Sequence, residues 1–168
     1  MYTKKILPNS FYHIYNRGNN YENIFYDESN YIYFLKKYNE YMSEYVKTYA
    51  FCLLPDHFHL LIKTSENSVL VSEQFRKCFK TYAEKINYQR SRSGSLFLKP
   101  FRRKIITNDN YLKRIIFYVH YNPVHHRISE SFEDYKWSSY KRILDPKKTN
   151  LEKTELIRVF DGKENFID

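Results

Sequence analysis

Apolar residues along this chain recur at two periods, and the switches between them mark out its elements. Phe11-Tyr12-His13-Ile14-Tyr15-Asn16-Arg17-Gly18 is aromatic and β-branched and closes on a glycine turn, which predicts a first strand. From about residue 29 to 45 the apolar positions Ile32, Leu35, Tyr38 and Met42 return at helical spacing, with Ser29 or Asp27 as cap. Two apolar runs, 49–54 and 58–62, flank Pro55-Asp56-His57; proline and aspartate favour a turn, so the pair predicts a hairpin. A longer helix over 69–90 carries the stripe Phe75, Cys78, Phe79, Tyr82 and Ile86, and Ser91-Arg92-Ser93-Gly94-Ser95 breaks it. Residues 96–107 predict one or two short strands around Lys99-Pro100. Asn108-Asp109-Asn110 then caps a third helix over 111–121, which Pro123 is expected to end. Beyond Trp137, the spacing of Thr149 and Glu152 is that of a capping box before a short last helix. The order βαββαβα predicts an α+β fold, a ferredoxin-like antiparallel sheet backed by helices. We read residues 1–145 as one domain and 146–168 as a helical tail packed on it or extending from it.

Composition narrows the function classes. Lys and Arg number 28 against 19 Asp and Glu, a formal charge of +9, which favours a polyanionic partner. The 18 Tyr and 13 Phe suit stacking on unpaired bases, and equally suit a strongly AT-biased genome. Cys52 and Cys78 lack CxxC spacing, which argues against a disulfide framework or a cysteine zinc site and predicts two reduced, partly buried thiols. Met1-Tyr2-Thr3-Lys4-Lys5 runs into polar sequence without a signal-peptide core, and no apolar run approaches the roughly 18 residues of a membrane span. A soluble, cytoplasmic protein with no membrane partner is expected.

Two constellations could carry chemistry. His57-Phe58-His59 opens a strand, so both imidazoles share a face and can converge on one divalent ion. Alternatively, His57 sits in the turn and His59 is a hydrogen-bonded core residue. Tyr118 and Asn122, four apart on the third helix, share a face as well. The first could be a nucleophile and the second an amide ligand to a hard metal, or both could simply pack. A free phenol, with pKa near ~10, needs activation to attack phosphorus at neutral pH, and a metal on the phosphate would supply it. His13 reads as structural or supporting, His125 and His126 as surface residues. Arg17, Lys99, Arg102, Arg103 and Lys104 lie near turns and a strand edge, where they could meet phosphates or solvent.

Five runs in this order resemble the REP-associated tyrosine transposases, HUH endonucleases related to the IS200/IS605 transposases. Tyr118-Val119-His120-Tyr121-Asn122-Pro123-Val124 is similar to their YIHxNPV segment. The stretch from Tyr12 to Gly18 resembles the first strand and RG turn, and that from Ala50 to Leu61 the A-CLMPNHxHLL segment. Gly94-Ser95-Leu96-Phe97 precedes the basic strand, and Tyr135-Lys136-Trp137-Ser138-Ser139-Tyr140 resembles YxWSS. The resemblance covers about residues 11–140. It implies that His57, His59 and Asn122 hold Mg²⁺ or Mn²⁺ and that Tyr118 attacks DNA to give a 5′-phosphotyrosine. It also implies a partner of hairpin-bearing, REP-like single-stranded DNA, a nucleoid-associated location, and a monomer or homodimer. The chain departs from the pattern NPVRAG at His125-His126-Arg127, and carries Asp56 where many relatives have Asn. Two rival classes are a domesticated hairpin-binding protein that does not cut, and a ferredoxin-like RNA-binding module.

Overall fold

The computed structural model describes residues 5–167; the polar reading of Met1 to Lys4 and the last residue, Asp168, lie outside them. The elements are β1 (Phe11–Arg17), α1 (Glu28–Met42), β2 (Val46–Leu54), β3 (His57–Thr64), α2 (Val71–Gln89), β4 (Arg102–Ile106), α3 (Asp109–His125), α4 (Tyr140–Leu144), α5 (Lys153–Val159) and α6 (Lys163–Ile167). The four strands form one antiparallel sheet in the order β2-β3-β1-β4, so the expected ferredoxin-like α+β arrangement is the fold. Among the described residues no helix is long and apolar enough to cross a membrane.

Strand alternation sends neighbouring side chains to opposite faces, and both faces are covered. Tyr12, Ile14, Phe58, Leu60, Ile62, Phe51 and Leu53 pack against α1 and α2 in one core. Leu61, Ala50, Cys52, Leu54 and Ile106 pack against α3 and the C-terminal helices in a second, which also buries Tyr140, Ile143, Leu156 and Phe166. Each fully buried Phe, Leu or Ile contributes roughly 1.5–3 kcal/mol through the surface it removes from water. The aromatic richness goes largely into these cores: of the 13 Phe only Phe117 is exposed. Cys52 and Cys78 are fully buried, not partly, and lie in different cores, unpaired.

Several local expectations change. Asp27 caps α1, its carboxylate accepting from Asn30 N at 3.2 Å, but the helix buries Tyr31, Phe34, Tyr38 and Met42 and leaves Ile32 exposed. The true stripe sits one residue earlier at its start, because Tyr31 and Phe34 offer more area to the sheet than Ile32 and Leu35. Pro123 does not end α3. It removes only the N–H that would reach Val119, and burial of Asn122 and Pro123 against the sheet outweighs that local cost. The helix closes four residues later, where Arg127 adopts φ 56° and Ile128 N donates to Pro123 O at 2.8 Å. No capping box forms at Thr149: Glu152 itself occupies the cap of α5 without a side-chain bond to it.

The YxWSS run turns out to be a fastening. Leu53 N donates to Trp137 O and Ser139 N to Phe51 O, both at 2.9 Å, while Ser139 Oγ accepts from Phe51 N at 2.9 Å. Tyr135 donates to Leu53 O at 2.9 Å, and Trp137 stacks on Tyr31 at 4.4 Å. Further along, Glu152 N reaches Thr48 O at 2.8 Å. The tail thus runs beside the outer edge of β2.

Gly18 closes β1 where no side chain fits. A Cβ there would meet the Glu22 carbonyl oxygen at 1.9 Å, a backbone atom that cannot swing aside. Its N–H donates to Asp56 O at 2.8 Å, tying the end of β1 to the β2–β3 turn. Gly18→Ala is expected to destabilise the fold by about 1–3 kcal/mol, read as a lower urea midpoint with unchanged slope; an unchanged midpoint would mean that the turn moves freely.

Candidate active site

The site forms on the sheet face beneath α3. Pro55 and Asp56 make a two-residue turn, so His57 is the first residue of β3 and not part of the turn. His57 and His59 then point to the α3 side while Phe58 enters the opposite core, their ring centres 5.2 Å apart and nearly perpendicular. On the neighbouring strand β1, His13 and Tyr15 share that face, stacked at 4.7 Å. From above, α3 brings Tyr118 edge-on to His59 at 5.4 Å and to His13 at 5.9 Å. Asn122 follows one turn later, fully buried, its amide donating to Tyr118 O at 2.6 Å.

The hydrogen bonds sort the ring nitrogens. His57 Nδ1 lies 2.6 Å from Asp56 Oδ1, and since a carboxylate only accepts, Nδ1 carries the proton. His59 Nδ1 lies 2.8 Å from His13 Nε2. Burial, with Lys104 second, holds the His13 pKa down to about 4, and burial with the charges of His13, His57 and His126 holds that of His59 well below its usual value. Both rings are therefore neutral near pH 7. With His59 donating to His13, each of His57 and His59 keeps an Nε2 lone pair free. This is the pattern by which an outer partner fixes a metal-binding tautomer.

Among the described residues seven buried side-chain polar atoms have no hydrogen-bond partner, and three of them are His57 Nε2, His59 Nε2 and Asn122 Oδ1. The remaining four are hydroxyls spread elsewhere. An unpaired buried polar atom costs about 1–3 kcal/mol, so three in one place call for a common partner. Two imidazole nitrogens and an amide oxygen are all lone-pair donors, a set that suits a divalent cation. Among the described residues no three His, Cys, Asp or Glu side chains gather as a metal site.

The remaining candidates separate. Tyr118 is 41% exposed, within reach of a substrate. Arg102 and Lys104 stand on the same sheet face as His13, while Arg103 lies on the other face, donating to Ser72 Oγ on α2 at 2.5 Å. Lys99 joins Arg103 in lining a cleft of about 780 Å³ between α2 and segment 94–101, which none of the histidines touches. Arg17 ends β1 opposite His57, its guanidinium 4.1 Å from the Tyr21 ring centre. The five cations thus form no single patch. His120 is buried and bonds Ser139 Oγ at 2.7 Å, away from Tyr118, and His125 is exposed. Two contributions escaped sequence reading. Asp56 orients His57. His126 is exposed, as expected, but its ring lies 4.5 Å from that of His57, a closeness that depends on α3 continuing past its proline.

No family model matches the chain. A protein of Haemophilus influenzae named as a REP-associated tyrosine transposase is 30% identical over 105 residues, which cover 57% of this chain and 60% of the relative. The matched region is therefore less than two thirds of that relative's length. A solved structure of a REP-associated tyrosine transposase bound to a REP hairpin aligns with a TM-score of 0.74 at 16% identity, over 86% of this chain and 84% of that one. That likeness establishes a shared fold across most of both chains.

Proposed function

We propose that this chain, which resembles the REP-associated tyrosine transposases in sequence and in fold, is a metal-dependent strand transferase acting on single-stranded DNA that bears hairpins. The observation that carries the proposal is the meeting of three buried, unpartnered donor atoms with one accessible phenol. His57, His59 and Asn122 would hold Mg²⁺ or Mn²⁺, which when bound polarises a scissile phosphate and offsets the charge growing on it.

The chain's own residues do the rest. His13 and Asp56 hold the two histidines in the tautomer that presents Nε2. The α3 helix carries both the phenol and the Asn122 amide, so one rigid element fixes their relation. Tyr118 Oη attacks phosphorus as the P–O3′ bond breaks, and the phenolic proton ends on the departing 3′-oxygen. The products are a 5′-phosphotyrosine and a 3′-hydroxyl. Attack by another 3′-hydroxyl runs the exchange in reverse and joins new ends, with no external energy needed. Arg102 and Lys104, beside this face, would contact phosphates, a contribution that weakens with salt.

The test is a set of labelled single-stranded hairpin oligonucleotides incubated with the protein, with and without Mn²⁺, and resolved on a denaturing gel. A covalent species is expected that requires metal and disappears in His59→Ala. Tight hairpin binding with no adduct under any metal would instead make the protein a hairpin-binding module that does not cut.

A further inference from the structure

The segment that follows β1 is held in a conformation its residues do not favour. Asn20 and Tyr21 are consecutive, and both lie in the left-handed region, at φ 54° and 58°. Asparagine tolerates that region; a bulky aromatic residue rarely enters it. Backbone bonds fix the segment in place. Gly18 N donates to Asp56 O and Asn19 N to Leu96 O, both at 2.8 Å, and Glu22 N closes back on Asn19 O at 3.1 Å. The result is a tyrosine that is 72% exposed, with the Arg17 guanidinium 4.1 Å from its ring centre. Strain of this kind persists only where the surroundings enforce it, and it clusters at functional sites.

The ring stands beside the site already described. Arg17 follows His13 and Tyr15 at strand spacing, so it shares their face of the sheet, and it pairs directly opposite His57. Opposed residues on one face stand about 5 Å apart at Cβ. Both nearby carboxylates are engaged elsewhere: Asp56 accepts from His57 Nδ1 at 2.6 Å, and Glu22 from Arg92 Nε at 3.0 Å. Neither neutralises Arg17, in a chain of formal charge +9. A flat exposed ring backed by a cation matches an unpaired nucleotide, whose base stacks on the ring while its phosphate meets the charge.

We infer that Tyr21, backed by Arg17, is a stacking platform for one unpaired base of the strand presented to Tyr118; this rests on the function proposed above. Because every base offers a π face, the platform holds the strand beside His57 with little regard to sequence. The pinned backbone keeps the ring in place before DNA arrives, so little order has to be gained on binding.

Affinity of the full chain would be measured without metal, on hairpin oligonucleotides with single-stranded flanks in which one base at a time is removed to leave an abasic sugar. For the unaltered chain one flank position is expected to stand out, loss of its base weakening binding by roughly fivefold or more. In Tyr21→Leu, loss of that same base should cost nothing further. In Tyr21→Trp, which keeps a flat ring, it should cost about as much as in the unaltered chain. Tyr21 is a surface residue, and an unchanged urea midpoint checks that each variant folds. An abasic penalty of equal size in the unaltered chain and in Tyr21→Leu would overturn the platform and leave the proposed function standing, as would flanks with no sensitive position. Self-association that Tyr21→Leu abolishes, with no dependence on the flanks, would also overturn it and assign the ring to a second copy of the chain. Failure of the unaltered chain to bind any hairpin would instead defeat the function on which the platform rests.

Discussion

Tyr118→Phe is expected to abolish the covalent protein–DNA species while leaving hairpin affinity within about twofold. The substitution removes one oxygen and keeps the ring that packs edge-on against His59 and His13, so the fold and the metal-binding groups are undisturbed. Loss of a nucleophile has no local substitute, and the adduct should fall by on the order of 10³-fold or more. The rival is Tyr15, whose ring stacks on His13 at 4.7 Å and lies 5.9 Å from His59. It sits on a strand wedged between neighbours and is half-buried, whereas Tyr118 is open to solvent. An adduct that survives Tyr118→Phe and vanishes in Tyr15→Phe would transfer the role to β1 and sink the assignment.

The second large effect concerns acid. In the metal-free protein three histidines are held neutral by burial: His13 down to about 4, His120 down to about 3, and His59 well below its usual value. An unfolded histidine takes its proton near pH ~6.5. Between there and pH 4 the unfolded chain binds protons that the folded chain refuses, so stability falls as pH falls. Each such histidine contributes a slope of about 1.4 kcal/mol per pH unit, and three together approach ~4. Down to pH 5 the loss reaches about 6 kcal/mol, a large share of a typical total of ~5–15 kcal/mol. Urea midpoints measured at pH 7.5, 6 and 5 should drop steeply with constant slope. A flat profile down to pH 4.5 would show that these rings are protonated in the fold.

Much of this architecture was legible in the chain, for physical reasons that differ by element. The α2 stripe of Phe75, Cys78, Phe79, Tyr82 and Ile86 was read correctly because it is apolar and strictly periodic, and all five residues are buried. In α1, tyrosines flank the apolar positions on either side, and hydropathy alone does not say which phase the sheet selects. The placing of His57 and His59 on one face follows from strand alternation alone. Their hydrogen-bond partners do not: His13 reaches His59 across 46 positions, and nothing local announces it. The extension of α3 past Pro123 is a tertiary effect, and with it went the closeness of the exposed His126 ring to His57. The YxWSS run resembled a family signature without disclosing its work, because its partners, Phe51 and Leu53, lie more than 80 residues away.

That fastening bears on how the protein keeps to itself. β2 is an outermost strand, and its sequence Val-Lys-Thr-Tyr-Ala-Phe-Cys-Leu-Leu is almost wholly apolar and buried. A bare edge of that kind recruits strands from other molecules and seeds aggregates. Residues 137–139 and 152 occupy its outward N–H and C=O groups from within the same chain. The opposite rim, β4, is short and lined with Arg102, Arg103 and Lys104, whose charge repels a second copy. One border of the sheet is sealed and the other is electrostatically defended, so neither offers a bare apolar strand to a neighbouring molecule.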